Sequence, residues 1–298
     1  VQPLYGIGLE RELSESVISQ ATGYRGMGPV RVGNQAQEHF QHDVYGSVVL
    51  GAAQAFHDHR LLVRGDSADF GALEMMGEQA WRLYDQPDAG IWELRTRARV
   101  HTSSALMCWA ACDRVTRVVS RHQPALAEEF RCAAEDIRTT ILCRAWSPDR
   151  NSLVSSYQGE DLDASLLQAI TLRLLPPSDP RMLSTLTAIQ RGLSMGKECW
   201  LRRYVADDGF GIPTSAFLIC TFWLIEALAR CGKIDEARAA MTQALGAMSP
   251  LGLLSEDYDP ITKRLWGNYP QAYSHVGLIH AAFAASPGWT DKIGRAHV

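Results

Sequence analysis

Apolar residues recur three or four positions apart along most of the chain, which is the spacing of one buried face of an α-helix. In the segment 216–228, for example, Phe217, Cys220, Leu224 and Leu228 fall on a single stripe. The same period predicts nine helices, which lie at about 35–60, 67–85, 101–121, 124–144, 162–173, 179–192, 216–228, 234–245 and 270–285. Residues 153–157 form the only candidate strand, so the pattern predicts an all-α protein.

Helix pairs joined by loops form either an open α-solenoid or a closed α/α barrel. A solenoid has a fixed sequence period with short, similar connections, whereas this sequence shows no fixed period. Its loops are long and dissimilar, and they carry much of the Trp, Tyr, Gly, Arg and carboxylate content: 22–34, 86–100, 145–161, 196–215 and 249–269. Loops of this kind on a helical scaffold are typical of a binding face. We therefore predict one domain with the barrel architecture.

The charge balance disfavours several classes of partner. The chain of 298 residues has 29 Lys and Arg against 33 Asp and Glu, a net charge of −4, and therefore no basic surplus for nucleic acid or an anionic membrane surface. No apolar run reaches the roughly 18 residues that a membrane-spanning helix needs. Seven cysteines without regular spacing indicate reduced thiols. These features predict a cytoplasmic protein, and they leave its oligomeric state open.

The first candidate for chemistry is the loop 87–95, Pro-Asp-Ala-Gly-Ile-Trp-Glu-Leu-Arg. In it, Trp92 offers a flat apolar face for a sugar ring, and an apolar neighbour can raise the pKa of a carboxyl such as Glu93 toward that of a general acid. The alternative is structural: the tryptophan closes the rim of the barrel and the glutamate is solvated or paired with an arginine.

A second candidate combines the acidic segment 252–260 with the aromatic and amide-rich segment 267–275. Three carboxylates, Glu256, Asp257 and Asp259, stand within four positions, and one of them could activate a water while nearby polar groups hold sugar hydroxyls. The alternative is an acidic turn, since Asp-Pro is a frequent loop signal.

Two further loops, 29–34 and 202–209, place arginines near Asn or Asp, an arrangement that binds neutral polyols or forms a structural ion pair. A metal site is not predicted. Cys108 and Cys112 lie four residues apart on a helix, but no second Cys or His pair completes a zinc set.

Taken in order, these segments resemble bacterial members of glycoside hydrolase family 15, the glucoamylase and trehalase-like family. The similarity also includes Leu-Tyr-Gly-Ile at 4–7, Gly-Tyr-Arg-Gly at 23–26, Gln-His-Asp-Val-Tyr-Gly at 41–46, Met-Cys-Trp at 107–109 and Cys-Thr-Phe-Trp at 220–223. The resemblance implies an (α/α)6 barrel of the six-hairpin glycosidase type, usually preceded by a β-sandwich domain, that releases glucose with inversion.

The resemblance also implies roles for individual residues. Glu93 is similar to the family's general acid and Glu256 to its general base, and inversion requires their carboxyl groups to stand about 6.5–9.5 Å apart. Arg203 resembles the arginine that binds the terminal glucose, and Trp92 and Tyr273 would form apolar walls of that subsite. Further binding candidates are Arg31, Asn34, Asp43 and Tyr45. The family chemistry needs no metal or organic cofactor, and the partner is an α-linked glucose disaccharide or oligosaccharide.

Two departures from the family pattern concern substrate binding. The Trp-Leu-Arg-Asp motif that normally precedes the segment at Leu4 is absent, and Thr214 stands where many members have a glutamate. We interpret residues 1–292 as a partial catalytic domain that is truncated at its N-terminal side. Residues 293–298 are a suspected non-native tail, because they resemble one reading frame of a common sequencing adapter.

The sequence therefore predicts an inverting, exo-acting α-glucosidase of the glucoamylase type, which releases glucose from α-glucans or maltooligosaccharides. Trehalose hydrolysis within the same family is the nearest alternative. An alternative of another class is an inactive glucan-binding helical scaffold, because the Arg-Asp pair that binds the terminal sugar is missing.

Overall fold

Nine α-helices occupy the segments that the hydrophobic period predicts, in a computed structural model that describes residues 2–94, 98–120, 122–207 and 211–286. The suspected tail, 293–298, lies outside the described residues. In chain order the helices are α1 (Asp43–His57), α2 (Ser67–Leu83), α3 (Thr102–Val119), α4 (Pro124–Arg144), α5 (Gln168–Thr171), α6 (Pro180–Leu193), α7 (Leu218–Arg230), α8 (Ile234–Leu245) and α9 (Ala272–Ala285).

The odd-numbered helices surround a central cavity, which is lined by Ser47 of α1, Met107 of α3, Thr171 of α5, Trp223 of α7 and Gly277 of α9. The even-numbered helices pack outside this ring: α2 and α4 lie against α3, and α8 lies against α7. Alternation of inner and outer helices is the α/α barrel architecture, so the predicted fold is confirmed. Five inner helices fall in the described ranges, whereas an (α/α)6 ring has six. The N-terminal truncation and the boundary at residue 292 stay predictions.

Only some of the helices begin with a side-chain cap. Outer helix α2 is capped by Asp66, which forms a capping box with Asp69, and outer helix α6 is capped by Asp179. Inner helices α1, α3, α7 and α9 begin without a side-chain cap, and so do outer helices α4 and α8. The first backbone N–H groups of a helix carry partial positive charge when no side chain pairs with them. In the inner helices α3 and α7, backbone carbonyl oxygens of neighbouring loops pair with the first N–H group, those of Ser155 and Glu256 respectively.

Seven short strands form three small antiparallel sheets. They are β1 (Ser16–Val17), β2 (Arg31–Val32), β3 (Trp146–Ser147), β4 (Ser152–Leu153), β5 (Ala216–Phe217), β6 (Asp257–Asp259) and β7 (Arg264–Trp266). The pairs are β1 with β2, β3 with β4, and β5-β6-β7 in that order. The strand predicted at 153–157 is largely wrong: Leu153 pairs with Trp146 at the end of β4, and Ser156 forms only an isolated bridge with His101. The three-stranded sheet leads directly into α7 and holds the segment around Glu256.

The cysteines are free thiols, as expected, and four of the seven are buried: Cys108, Cys112, Cys199 and Cys220. Burial raises the pKa of the Cys112 and Cys199 thiols to about 12, so both stay protonated. In the described part of the chain, no helix has the length and apolar character needed to cross a membrane.

Two glycines of α1 give a matched test of how tightly the inner helices pack. A Cβ on Gly46 would lie 2.2 Å from the Met107 carbonyl oxygen on α3, whereas a Cβ on Gly51 would meet nothing within 4 Å. We expect Gly46→Ala to lower the free energy of unfolding by about 1–3 kcal/mol, since backbone must shift to admit it. Gly51→Ala should raise that free energy by about 0.5–1 kcal/mol through helix propensity. Urea denaturation measures both, and equal effects of the two substitutions would contradict the close approach of α1 and α3.

Candidate active site

The candidate residues gather at the end of the barrel where the inner helices begin. Asp43 is the first residue of α1, Phe217 directly precedes α7, and Tyr273 is the second residue of α9. Trp92 lies in the loop that leads to α3, and its ring contacts that of Phe217. The loops and helix starts therefore converge on one site.

Glu256 is fixed by the backbone on both sides. Its N–H donates to the Asn268 carbonyl oxygen at 2.9 Å, and its own carbonyl oxygen accepts from the Leu218 N–H at 3.0 Å. These bonds join the residue before β6 to the second residue after β7 and to the first residue of α7. The position of Glu256 is therefore set by the sheet and an inner helix together.

The Glu256 carboxylate accepts three hydrogen bonds. Oε2 accepts from the backbone N–H and the side-chain amide of Asn268, both at 3.1 Å, and Oε1 accepts from the Tyr273 hydroxyl at 2.7 Å. Burial and the bond to Glu256 raise the pKa of the Tyr273 hydroxyl, so it remains a donor. Among the described hydrogen bonds, Oε1 accepts only this one, so it can still accept a hydrogen bond, or a proton, from a water molecule.

An aromatic wall connects the two predicted catalytic segments. The Trp92 and Phe217 rings meet edge to face with centroids 5.8 Å apart, and Phe217 stacks on Tyr273 at 5.9 Å. Trp92 also contacts the rings of Tyr204 and Trp223. Apolar ring faces of this kind pack against the C–H faces of sugars. Trp92, the neighbour of Glu93, is thus linked through Phe217 to Tyr273, which donates a hydrogen bond to Glu256.

Glu93 lies in a tight loop with a strained backbone. Its φ of 54° is in the left-handed region, and its N–H donates to the Gly90 carbonyl oxygen at 3.1 Å. Buried Asp88 anchors the start of this loop, since its Oδ2 accepts from the His42 N–H at 2.8 Å and from the Ser104 hydroxyl at 2.7 Å. The loop is therefore tied to the starts of α1 and α3.

Asp43 lies close enough to this loop for the negative charges of the loop to affect its pKa. Burial raises the pKa of Asp43 to about 6, with further contributions from the charges of Asp88 and Glu93. Burial and nearby like charges favour the protonated form of the Asp43 carboxyl, in which it can donate a hydrogen bond. Asp43 also lines the central cavity together with Ile91 and Trp223.

Arg203 lies on the same aromatic wall. Its guanidinium carbon is 5.0 Å from the centre of the Tyr204 ring and 5.5 Å from that of Phe217. The adjacent carboxyl is Asp257, which accepts a hydrogen bond from the Ser215 hydroxyl at 2.8 Å. Burial raises the pKa of Asp257 to about 6, and the negative charge of Glu256 contributes to this increase. The hydrogen bond from Ser215 and the positive charge of Arg203 act in the opposite direction.

The structure gives other partners to three of the predicted binding residues. Arg31 pairs with Glu15 at 3.4 Å across the β1–β2 hairpin, and the Asn34 side chain accepts from the Ala36 N–H at 2.9 Å. Both contacts match the structural alternative for the loop 29–34. Tyr45 packs half-buried on the hydrophobic core, within the first turn of α1. Their roles in substrate binding stay predictions.

Sequence reasoning missed several residues of the site. Phe217 joins the two halves of the aromatic wall, Asn268 supplies two donors to Glu256, and Asp88 anchors the loop of Glu93. The amide-rich character of the segment 267–275 was a signal for Asn268. For Phe217 the only signal was its position just ahead of a helix at the barrel end.

Asp163, next to Trp92, gives a pH prediction. The residue is 4% exposed, and its carboxyl accepts a hydrogen bond from the Ser165 N–H at 2.8 Å. Burial raises the pKa of this carboxyl to about 6 against an ordinary value of 3.8. The unfolded chain loses this proton at lower pH than the folded one, so Asp163 lowers stability progressively as pH rises from about 4 to 6. Asp163→Asn keeps the capping oxygen, and it should remove that part of the decline in Tm. Parallel Tm profiles of the variant and the wild type from pH 4 to 8 would refute the shift.

Solved structures with a similar fold include glycosidases. A structure described as wild-type glycosidase matches with a TM-score of 0.70 and 21% identity, and covers 87% of this chain and 72% of that one. A bacterial glucoamylase complexed with acarbose matches with a TM-score of 0.57 and 11% identity, over 87% of this chain and 42% of that one. At these identities the likeness shows the fold.

Sequence comparison gives closer relatives. The trehalase of Mycolicibacterium smegmatis is 36% identical over 284 residues, which are 94% of this chain and 42% of that protein. The trehalase of Thermoplasma acidophilum is 36% identical over 274 residues, which are 92% of this chain and 46% of that protein. The chain spans less than half the length of these curated relatives. The sequence profile of Glycosyl hydrolases family 15 matches residues 1–283. The chain belongs to glycosyl hydrolase family 15.

Proposed function

We propose that this chain carries the catalytic centre of a trehalase, which hydrolyses the bond between the two glucose units of trehalose with inversion. Both relatives described above are named trehalase, and this favours trehalose over the glucoamylase-type substrates that the sequence first indicated. The observation that carries the catalytic part is the aromatic wall. It runs from Trp92, the neighbour of Glu93, to Tyr273, which holds Glu256.

In the proposed reaction, Glu93 donates a proton to the glycosidic oxygen as the bond to the anomeric carbon breaks. Glu256 accepts a proton from the water that attacks this carbon from the opposite face. The attacked unit leaves as β-glucose and the other unit as α-glucose. The rings of Trp92 and Tyr273 hold the terminal glucose, and Arg203 donates hydrogen bonds to its hydroxyls. These steps need no metal or organic cofactor.

The proposal is tested by following the anomers released from trehalose and from maltose by proton NMR. We expect equal initial amounts of α- and β-glucose from trehalose, and a kcat/KM for trehalose at least about 10-fold above that for maltose, a difference of about 1.4 kcal/mol. Two α-glucose molecules from trehalose would reject inversion. Cleavage of maltose without trehalose would restore the glucoamylase hypothesis, and sugar binding without turnover would support the inactive scaffold.

A further inference from the structure

The start of α9 holds the chain segment that leads to Glu256. Gln271, the residue before α9, donates its N–H to the Leu254 carbonyl oxygen at 2.9 Å. The Ser274 hydroxyl donates to the Ser255 carbonyl oxygen at 2.8 Å. Leu254, Ser255 and Ser274 are completely buried. The two residues that precede Glu256 are therefore packed against the first turn of this inner helix.

His275, in the same turn of α9, adds a contact through its imidazole ring. Its Nε2 accepts a hydrogen bond from the Leu254 N–H at 3.3 Å, and its Nδ1 lies 2.8 Å from the Gln271 carbonyl oxygen. A backbone N–H can only donate and a carbonyl oxygen can only accept, so the ring carries a single hydrogen, on Nδ1. The two backbone partners therefore select one neutral tautomer of His275.

The contacts of this ring argue against a direct part in the chemistry. Both nitrogens of His275 are engaged with the backbone, so neither is left to exchange a proton with a substrate or a water. His275 is the only acceptor that the described residues offer to the Leu254 N–H. Because Leu254 is buried, no water can replace the ring as the partner of this N–H. The ring therefore acts on the backbone that precedes Glu256.

The first turn of α9 also holds the carboxylate of Glu256, through the 2.7 Å hydrogen bond from the Tyr273 hydroxyl to Oε1. One helical turn thus fixes both the carboxylate and the backbone before it. The backbone of Glu256 itself is held by Asn268 and Leu218. Loss of the contact with α9 would therefore let the segment pivot about these bonds and move the carboxylate. Misplacement of a catalytic group by about 1 Å can cost a factor of about 100 in rate.

We propose that His275 is a positioning residue for the catalytic base. By accepting the hydrogen bond from the Leu254 N–H, it fixes the segment 254–256 on α9 and keeps the Glu256 carboxylate directed at the attacking water. The inference rests on the proposed function, because it requires Glu256 to be the base. It follows that His275 affects kcat through Glu256 alone and has little influence on KM.

The first test follows hydrolysis of α-D-glucosyl fluoride, whose leaving group is not a sugar, so the result does not depend on the natural second sugar. We expect His275→Phe, which keeps the ring shape and removes both nitrogens, to lower kcat at least about fivefold and leave KM within about threefold. His275→Gln should lose less, because its amide oxygen lies as many bonds from Cβ as Nε2 does and accepts from the Leu254 N–H. His122→Phe, at an exposed position between α3 and α4, is the matched control and should change neither constant.

The second test removes the base. In Glu256→Ala, azide takes the place of the attacking water and needs no proton removed, so the fluoride is converted to β-glucosyl azide. If His275 acts through Glu256, adding His275→Phe to this variant should change the rate of azide product formation by less than about threefold. A larger loss in the double variant would show that His275 maintains the fold or the sugar site instead, and would overturn the proposal.

Two results of the first test would also overturn the positioning role and leave the proposed function standing. One is a smaller loss of kcat than fivefold in His275→Phe, and the other is an equal loss in His275→Gln and His275→Phe. The proposed function fails by a different result: if azide restores no turnover in Glu256→Ala alone, Glu256 is not the base, and the role of His275 is rejected with it.

Discussion

Replacing Glu93 with glutamine is expected to lower kcat for trehalose by at least about 100-fold, because general acid catalysis typically contributes a factor of 10²–10⁴. Glutamine has nearly the same shape and cannot supply the proton that the leaving glucose requires. The substitution does not change the backbone strain at this position, where φ is 54°, because glutamine, like glutamate, has a side chain with a Cβ. Steady-state kinetics with trehalose measure the effect.

The substrate α-D-glucosyl fluoride separates loss of the acid from general damage. Fluoride leaves with little need for protonation, so Glu93→Gln should act far more weakly on this substrate than on trehalose. Glu78→Gln on the exposed face of α2 is the matched control and should leave both activities unchanged. Trehalase activity of Glu93→Gln within a few-fold of the wild type would reject Glu93 as the acid.

The hydrophobic period predicts the helices well because most of them have one buried face that the 3.6-residue repeat records. It fails at their starts. The helix expected from residue 216 begins at Leu218, since Ala216 and Phe217 pair as β5 with Tyr258 and Asp257. Strands of two or three residues are too short to show alternation, so the sheet that holds Glu256 leaves no periodic signal.

The resemblance indicated the two glutamates, but the partners of these residues depend on three-dimensional placement. Asn268 and Tyr273 reach Glu256 across 12 and 17 residues of chain, because the β6–β7 hairpin folds back on itself. Asp88 meets His42 across 46 residues. These are tertiary contacts between loops, which a linear pattern of residue types does not encode.

Several carboxyls around the site are buried and lower the stability of the folded chain. Asp43, Asp163 and Asp257 each have a pKa raised to about 6, with burial as the largest cause. Each therefore makes folding less favourable as pH rises through about 4 to 6. Such destabilising groups cluster at functional sites, where their charge or proton serves binding or catalysis.

Glu256→Gln is expected to lower kcat by at least about 100-fold on trehalose and on α-D-glucosyl fluoride alike, because both reactions need a base to activate water. Glutamine also turns one oxygen into an NH₂ group that faces a donor, either the Tyr273 hydroxyl or the Asn268 amide. Tyr273→Phe is the matched control, because it removes one donor and keeps the carboxylate, so its loss should be smaller than that of Glu256→Gln.

Azide distinguishes loss of the base from loss of the fold. In Glu256→Ala, azide should attack the anomeric carbon without any need for proton removal, while Glu93 still protonates the leaving glucose. Sodium azide should therefore restore turnover of trehalose and yield β-glucosyl azide, which NMR detects. The β configuration follows because azide takes the position of the attacking water, on the face opposite Glu93. Formation of α-glucosyl azide would contradict attack from the face opposite Glu93. Activity of Glu256→Gln close to that of the wild type would show that another residue is the base.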